Sequence, residues 1–477
     1  GAAVRADATM SFIGLKTGLF TAVGPACCGE IYFDDLGVPA AVYAGIAPQA
    51  RRLTAANLHG LVGPRARNAH KGDYGHVLVV GGDRGMPGAV RLAGEAALRT
   101  GAGLVTLATH PAHAATVNGA RPELMAFGVN DAADLAPLVA RATAIAVGPG
   151  LQRGEWGGRL FSAALEARRP LVVDADALYW LAAEPARRDN WVLTPHPGEA
   201  ARLLGATADA VQADRFAAAR AIADKFGGVC VLKGAGTLVC SAGEAVFGLC
   251  DAGNPGMASA GMGDVLTGII AALVAQGLSA RDAARLGVWL HARAGDEAAA
   301  AGGEIGLLAS DLLFARARRH QQARTAVTPR LLHIATEKDM EALGGRFASA
   351  LGRLRLITLN GPLGAGKTTL VRGLVQALGH AGSVKSPTFT LVEPYRFNDR
   401  QLYHFDLYRL KAPEELEFLG IRDYLAGPGL CVVEWAERAG GLLPAPDVDV
   451  MIQPANGGRS VQLTAHTPQG EAWLGSL

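Results

Sequence analysis

The sequence lacks the features that would place it in a membrane or in a disulfide-bonded scaffold. No apolar run reaches the roughly 20 residues that a membrane-spanning helix needs. Its six cysteines are scattered and include no C-x-x-C pair, so neither a disulfide framework nor a zinc site is indicated. No signal-peptide pattern follows Gly1, and the chain looks cut at its start. The cytoplasm is therefore the expected compartment.

A strong charge imbalance is also absent. The formal net charge of +2 is too close to neutral to indicate binding to nucleic acid or to an anionic membrane. Half of the 477 residues are hydrophobic and 18% are charged, which is typical of a globular protein with two to four domains. We expect no direct contact with nucleic acid or membrane, and we expect a homo-oligomer whose size the sequence does not specify.

A glycine-rich stretch from Asn254 to Gly268 is the most informative part of the chain. Small residues fill it up to Gly263, and an apolar helical pattern starts at Val265. A loop that opens into a helix presents free backbone N–H groups, which attract phosphate. Asp264 lies where the loop becomes the helix. Its position alone fits either a helix cap or a general base beside a bound phosphoryl group.

Residues 60–320 alternate short apolar runs with helical patterns, which predicts a largely parallel sheet with helices on both faces. The expected strands are His76–Val80, Leu104–Ala108, Ala144–Val147, Leu171–Val173, Trp191–Leu193 and Val229–Leu232. The expected helices include Arg91–Leu98, Arg215–Phe226 and Arg281–Ala301. Ligands bind at the carboxyl ends of strands in such sheets. The candidate loops that follow strands are 81–83, 148–150, 174–178, 194–199 and 233–237.

Several side chains in these loops have a plain structural alternative. His196, between two prolines, is either a substrate contact or a loop histidine bonded to the backbone. Lys233 is either a nucleotide contact or only a charge at a strand end. Asp174 and Asp176 either take part in the chemistry or cap the helix that runs from Ala177 onward.

Taken together, these segments resemble ADP-dependent NAD(P)H-hydrate dehydratase, a family with a ribokinase-like fold. The resemblance covers residues 60–320 and lies in Lys71–His76, Pro87–Ala89, Gly101–Val105, the five loops and Asn254–Gly268. It implies a three-layer α/β/α domain that dehydrates the S epimer of hydrated NADH or NADPH, while ADP becomes AMP and phosphate. Phosphorylation of the substrate hydroxyl would make it a better leaving group. An ATP-dependent small-molecule kinase of the ribokinase class is the alternative, because the same loop and aspartate serve it equally well.

The resemblance also implies roles for individual residues. Asp264 would accept the hydroxyl proton as the catalytic base. Substrate contacts are expected at Ala89, Gly150, His196 and Asp264. Adenine-nucleotide contacts are expected at Lys233, Gly234, Ala235, Gly236, Thr237 and Gly263. The N–H groups of 260–263 are expected to form an anion hole for the phosphoryl group, at Ala260, Gly261, Met262 and Gly263. Mg²⁺ is expected to bind with the nucleotide.

Residues 1–55 resemble the C-terminal end of NAD(P)H-hydrate epimerase. The pattern starts at Ala6–Phe12 and continues through Leu15–Gly18 and Gly29–Gly37. The catalytic part of that family lies upstream, so no epimerase activity is expected from this chain. A simple extension of the next domain is the alternative. The dehydratase-like domain is then expected at 56–320, followed by a linker at 321–330. The stretch 316–330 is rich in arginine, which indicates a solvated helix end and linker, with a basic contact surface as the alternative.

A second domain is expected at 331–477, where a Walker A loop begins at Gly361. The apolar run Leu354–Leu359 precedes this loop and a helical pattern, Thr369–Leu378, follows it. That strand–loop–helix setting predicts a P-loop NTPase α/β domain that binds ATP and Mg²⁺. Lys367 would reach the β- and γ-phosphates, and Thr368 would ligate the metal. The expected ATP contacts are Gly361, Gly364, Ala365, Gly366, Lys367, Thr368, Thr369 and Trp435.

This loop, with Ser386–Phe389, Tyr403–Leu410 and Leu430–Trp435, resembles TsaE, the ATPase of bacterial tRNA threonylcarbamoyladenosine synthesis, over residues 331–465. The resemblance implies partners among the other proteins of that synthesis. A non-catalytic, nucleotide-gated assembly module is the alternative.

The same resemblance implies that Asp406 and Glu434 serve the metal or the attacking water. It also assigns Thr388 to a switch-like loop and packs Trp435 on the nucleotide base. Two structural alternatives remain open. Asp406 could pair with Arg409, three residues further on, and Trp435 could pack in the core.

Overall fold

The computed structural model describes residues 3–43, 45–58, 60–63, 65–313, 330–350, 354–384, 386–387, 390–397, 400–410, 415–439, 442–455 and 457–477. The chain divides into two compact units, 1–318 and 319–477. Thr388 and residues 321–329 of the expected linker lie outside the described residues. In the described part, no helix is long and apolar enough to cross a membrane.

The first unit is built on a ten-stranded sheet. Two further strands, β1 (Ala8–Phe12) and β2 (Glu30–Asp34), form a separate parallel pair. The large sheet consists of β3 (Ala50–Arg52), β4 (His76–Val80), β5 (Leu104–Thr109), β6 (Met125–Gly128), β7 (Ala144–Val147), β8 (Leu171–Val173), β9 (Trp191–Leu193), β10 (Val229–Leu232), β11 (Thr237–Ser241) and β12 (Phe247–Cys250). Its strand order is β3-β12-β11-β10-β9-β8-β7-β4-β5-β6. Strands β4 to β10 are parallel, whereas β11 is antiparallel to both of its neighbours.

Helices cover both faces of this sheet. The longer ones are Pro87–Thr100, Ala132–Arg141, Glu155–Glu166, Asp176–Ala183, Pro197–Leu204, Arg215–Phe226, Met262–Ala275 and Ala280–Gly302, and the shorter ones are Ala40–Tyr43, Ala55–Leu58, Pro111–Ala114 and Ala208–Ala213. Val77 and Val79 of β4 pack into one buried cluster, and Leu78 and Val80 pack into another. Successive side chains of a strand point to opposite faces, so the sheet has a core on each side. The expected three-layer α/β/α architecture is confirmed.

The second unit has a seven-stranded sheet. Its strands are β13 (Arg330–Ile334), β14 (Leu356–Asn360), β15 (Val392–Phe397), β16 (Arg400–Asp406), β17 (Leu430–Glu434), β18 (Val448–Ala455) and β19 (Gly458–Ala465). Their order is β13-β19-β18-β14-β17-β16-β15. Strand β14 is central and parallel to β17 and β18. The helices are Glu337–Arg346, Lys367–Ala377, Glu415–Phe418, Ile421–Ala426 and Pro468–Ser476.

The Walker A loop leaves the carboxyl end of the central strand β14. The helix that follows it begins at Lys367, and Leu370 and Leu374 of this helix are fully buried against the sheet. The strand–loop–helix arrangement predicted from the sequence is therefore present. Strands β18 and β19 form an antiparallel pair that lies in the second sheet on one side of β14.

Candidate functional site

In the first unit, the loops after β4 and β7 lie side by side at the carboxyl edge of the sheet. The N–H of Gly82 donates to the carbonyl of Pro149 at 2.9 Å, and the N–H of Asp83 donates to Gly150 at 2.8 Å. Gly150 has φ of +58°, and a Cβ there would lie 3.1 Å from the Cβ of Ala89. The two small residues predicted as substrate contacts are thus neighbours, and a larger residue at Gly150 would close the gap between them.

A buried ion pair lies next to these loops, between the ends of β8 and β10. Lys233 Nζ is 2.7 Å from Asp174 Oδ1, and the hydroxyl of Thr267 donates to Asp174 Oδ2 at 2.8 Å. Burial favours the neutral form of Asp174, which is only 1% exposed, but Lys233 and Thr267 hold its pKa below the ordinary value. Lys233 is therefore a paired charge inside the site, and more than an isolated charge at a strand end.

The interpretation of Asp174 and Asp176 as helix caps is wrong. The helix Asp176–Ala183 has Ala175 as its N-cap and no side chain that caps it. The carboxylate of Asp176 instead accepts the backbone N–H of Gln152 at 2.9 Å. Asp174 lies outside the helix, and its carboxylate forms an ion pair with Lys233.

Asp264 lies in the first turn of the helix Met262–Ala275, but it does not cap that helix. The N-cap is Gly261, whose φ of +87° suits glycine, and no side chain caps the helix. The first N–H groups of a helix have no partner within it, so they are available to an anion. Burial, together with the nearby charge of Asp174, raises the pKa of Asp264 to about 7. A Cβ on Gly263 would lie 3.4 Å from Lys233 Nζ, which brings this helix start to the ion pair.

His196 is the N-cap of the helix Pro197–Leu204. Its Nδ1 accepts the backbone N–H groups of Gly198 at 3.0 Å and Glu199 at 3.4 Å, so the backbone-bonded alternative describes part of its role. Its side chain is 57% exposed, and its Nε2 lies 3.5 Å from Glu199 Oε1. The imidazole can therefore still meet a ligand with one edge.

The nucleotide loop predicted at Lys233–Thr237 is the turn between β10 and β11, and Thr237 is already the first residue of β11. An arginine that the sequence did not single out holds this turn. The guanidinium of Arg215, 3% exposed, donates to the carbonyls of Leu232, Lys233 and Gly236 at 3.1, 3.2 and 3.4 Å. The backbone N–H of Ala22 donates to Ala235 from the other side at 3.1 Å.

In the second unit, Lys367 is 4% exposed and lies inside the Walker A loop. Its Nζ donates to the carbonyls of Gly361 at 2.6 Å and Pro362 at 3.0 Å, and it lies 3.7 Å from the ring centroid of Trp435. Trp435 is half-buried, has φ of +61°, and has Tyr408 5.0 Å away on another side. Its side chain therefore lies at the loop that would hold phosphate.

Glu434 connects the Walker A helix to β16. Thr368 Oγ1 donates to Glu434 Oε1 at 2.9 Å, and the fully buried His404 contacts the same oxygen at 2.9 Å through Nε2. Asp406 is the register partner of Glu434 on the neighbouring parallel strand. Asp406 accepts hydrogen bonds from the Ser386 hydroxyl and from the backbone N–H of Tyr408. Sequence reasoning missed His404, because nothing in its spacing indicated a contact with Glu434.

Residues 77–317 match the NAD(P)H-hydrate dehydratase family, and this range covers just over half of the chain. The chain belongs to that family. The bifunctional NAD(P)H-hydrate repair enzyme Nnr of Coxiella burnetii is 52% identical over 312 residues, which are 65% of this chain and 64% of that protein. The Escherichia coli enzyme of the same name is 46% identical, over 65% of this chain and 60% of that protein. The chain thus spans less than two thirds of the length of these relatives.

Residues 334–461 match the family of the threonylcarbamoyl adenosine biosynthesis protein TsaE. The TsaE of Haemophilus influenzae is 48% identical over 144 residues, 29% of this chain and 91% of that protein, so the second unit belongs to the TsaE family. The ADP/ATP-dependent NAD(P)H-hydrate dehydratase of Bacillus subtilis, co-crystallised with ATP and Mg²⁺, superposes with a TM-score of 0.52 at 28% identity. It covers 58% of this chain and 100% of its own. The resemblances to the dehydratase family and to TsaE are confirmed, and the first unit is ribokinase-like.

The TsaE unit offers ligands that suit Mg²⁺. This ion prefers oxygen ligands and keeps several waters or phosphate oxygens. Thr368, Asp406 and Glu434 present only oxygens, and Thr368 and Glu434 are already within hydrogen-bond distance. No cluster of three or more His, Cys, Asp or Glu side chains suited to a metal occurs in the described ranges. The donor set therefore fits a metal that is shared with nucleotide phosphates.

Arg215 provides a test of the nucleotide turn in the dehydratase unit. Arg215→Gln should raise KM for ADP by about tenfold or more, because three carbonyls of the turn lose a charged donor worth about 1.5–3 kcal/mol per bond. The measurement is the steady-state rate against ADP concentration, with thermal unfolding as a check of folding. Arg281→Gln, a change at an exposed helical arginine paired with Glu244, is the control. An unchanged KM in a folded variant would contradict the role of Arg215.

Proposed function

We propose that the dehydratase unit restores the S epimer of hydrated NADH or NADPH to the reduced cofactor, with conversion of ADP to AMP and phosphate. One observation carries the proposal. An uncapped helix start bearing Asp264 meets the Asp174–Lys233 ion pair beside Ala89 and Gly150. This arrangement brings a proton acceptor, an anion site and a cation together at the sheet edge where ligands of such folds bind.

The chemistry assigned to these residues begins at the substrate hydroxyl. Asp264 takes the hydroxyl proton while the oxygen attacks the β-phosphorus of ADP, and AMP leaves. The pKa of about 7 lets Asp264 act as a base near neutral pH and then hold the proton. The N–H groups of 260–263 stabilise the transferring phosphoryl group, and Lys233 lies close enough to add positive charge. Bound Mg²⁺ would neutralise charge on the nucleotide phosphates.

The rival for this unit is an ATP-dependent kinase of the ribokinase class. The full chain should be incubated with hydrated NADH and either ADP or ATP, while the absorbance of reduced nicotinamide and the release of AMP are followed. The proposal expects recovery of absorbance with one AMP formed for each NADH. A stable phosphorylated product with no recovery of absorbance would favour the kinase.

For the TsaE unit we propose ATP hydrolysis in support of tRNA threonylcarbamoyladenosine synthesis, together with the other proteins of that synthesis. The observation that carries it is the convergence of Lys367, Thr368 and Glu434 at the Walker A loop. We propose that Thr368, Asp406 and Glu434 hold Mg²⁺ or orient the attacking water. The exposed part of Trp435 would stack on the base. Turnover of ATP by the chain alone, and again with the partner proteins, separates an autonomous ATPase from a nucleotide-gated assembly module.

We also propose that the first 55 residues are the end of an epimerase domain and that the protein works in the cytoplasm as a homo-oligomer. The parallel pair β1–β2 forms a sheet of its own, as expected for strands of another domain, and Phe20 and Ile31 of this segment pack against the core of the large sheet. Strand β3 pairs with β12 of the large sheet, so we place the start of the dehydratase domain at about Ala50, a few residues before the boundary expected at 55. Limited proteolysis that cuts between 35 and 50 and leaves a stable dehydratase core would support this boundary.

A further inference from the structure

Dehydration through a phosphorylated intermediate requires a base to remove two different protons, one from oxygen and one from carbon. It removes a hydroxyl group from one carbon and a proton from the neighbouring carbon, with a double bond formed between them. In the proposed reaction, Asp264 has taken the hydroxyl proton by the time the phosphoryl group is in place. A second group is needed to remove the proton from carbon. This group must lie at the same carboxyl edge of the sheet as Asp264, so that both reach one bound substrate.

His196 is the obvious candidate, but its hydrogen bonds make it a donor. Nδ1 accepts two backbone N–H groups, at 3.0 and 3.4 Å. In the neutral imidazole the hydrogen is therefore on Nε2, which lies 3.5 Å from Glu199 Oε1. Burial and the charge of Lys233 lower the pKa of His196, so the neutral form predominates near pH 7. No lone pair of the ring remains for a substrate proton.

Glu199, three residues further on, has the properties that His196 lacks. Its Oε2 accepts the backbone N–H of His196 at 2.7 Å and lies 3.7 Å from Lys233 Nζ. Burial and the charge of Asp174 raise the pKa of Glu199 to about 7, against the opposing effect of Lys233. Its side chain keeps 11% of its surface exposed, at the end of β9 where the substrate is expected. The carboxylate can therefore accept a proton near neutral pH.

Lys233 brings the two acid–base groups to one place. Its ammonium is 3.7 Å from Glu199 and 3.4 Å from the position of a Cβ on Gly263, the residue before Asp264. Asp174, which holds this ammonium, also accepts a hydrogen bond from Thr267, on the next turn of the Asp264 helix. Two carboxyl groups, one on the helix Pro197–Leu204 and one on the helix Met262–Ala275, thus lie on either side of the same lysine.

We propose that Glu199 is the second base, which removes the proton from the carbon next to the phosphorylated one. The electrons of that C–H bond form the C=C bond, the C–O bond breaks, and its electron pair leaves with phosphate. Glu199 then releases its proton to solvent. The backbone N–H of His196 holds the Glu199 carboxylate in position. This assignment rests on the proposed dehydratase function.

The test separates the two halves of the reaction in the full chain. With Glu199→Gln, rapid quenching should show a burst of AMP stoichiometric with enzyme, while formation of NADH falls by about 10² or more. Substrate carrying deuterium on the abstracted carbon should show a larger isotope effect on NADH formation in the variant than in the parent. Equal slowing of AMP and NADH formation, with no burst, would overturn the assignment.

A second variant tests whether a carboxylate supplied from solution restores the reaction, with thermal unfolding as a check because alanine also loses the hydrogen bond from the His196 N–H. Glu199→Ala should lose NADH formation and recover part of it on addition of formate, because a small carboxylate can take the vacated position. Absence of rescue in a folded variant that forms AMP normally would also count against Glu199. Glu155→Gln, at a side chain 93% exposed, is the control for the substitution itself. If the parent chain forms no NADH with ADP, the proposed function fails first, and the role of Glu199 fails with it.

Discussion

Replacing Asp264 with asparagine should lower kcat for hydrate dehydration by about two to four orders of magnitude. The amide has nearly the same size but cannot accept the hydroxyl proton. Asp264 does not cap its helix, and its carboxylate makes no hydrogen bond among the described residues, so its loss should not unfold the protein. Affinity for ADP should remain near normal, because the anion-binding N–H groups belong to the backbone.

The measurement is kcat at saturating ADP and substrate, with ADP affinity from a separate binding titration. Asp282→Asn is a matched control, because Asp282 occupies the same third position after the N-cap in the helix Ala280–Gly302. Recovery of activity at high Mg²⁺ would indicate a metal ligand instead of a base. A kcat within a few-fold of the parent would end the general-base hypothesis for Asp264.

The same residue predicts a pH dependence. Only the ionised carboxylate can act as a base, so kcat/KM of the parent should rise with pH through about 7. Asp264→Asn should reduce this rise to the part that the ionisation of Glu199 contributes. The folded chain binds the Asp264 proton more tightly than the unfolded chain, whose pKa is near 3.8. The free energy of unfolding contributed by this group therefore falls as pH rises from about 4 to about 7, and the variant should lack that fall.

The elements predicted from the sequence are those with a strong local signal. The buried parallel strands β4, β7, β8, β9 and β10 read as continuous apolar runs, and their bounds match the expected ones. The Walker A loop was found because its spacing and its strand–loop–helix setting are fixed by phosphate binding. Strands β3, β6, β11 and β12 of the first unit and β13 and β15 of the second were missed. Of these, β3 is three residues long with two arginines, and β6 lies at the sheet edge with its side chains partly exposed.

The sequence predicted which loops form the candidate site, but it did not predict which side chains of these loops contact one another. Asp174, Lys233 and Thr267 come from three distant segments, and only the strand order brings them together. Arg215 looks like an ordinary residue at the start of a helix, since its partners are backbone carbonyls that leave no trace in the sequence. The cap interpretation of Asp264 failed because a glycine in the left-handed region already starts that helix.

Lys367→Ala should abolish ATP hydrolysis while hydrate dehydration stays unchanged. The lysine neutralises charge on the β- and γ-phosphates, which only the TsaE unit presents to a Walker A loop. Burial lowers the pKa of the Lys367 ammonium below its ordinary value, although the nearby charges of Glu434 and Glu437 oppose this shift. The alanine variant lacks the amino group that would contact the phosphates. The dehydratase unit has its own sheet and its own lysine at the end of β10.

Both activities should be measured on the same preparation, with phosphate release from ATP and NADH formation with ADP as the two readouts. Lys338→Ala, at an exposed lysine in the helix Glu337–Arg346, is the control, and neither activity should change in it. Thermal unfolding distinguishes a folding defect in the TsaE unit from a loss of chemistry, because alanine also removes hydrogen bonds to Gly361 and Pro362. An equal fall of both activities in a folded Lys367→Ala protein would mean that the two nucleotide sites are coupled.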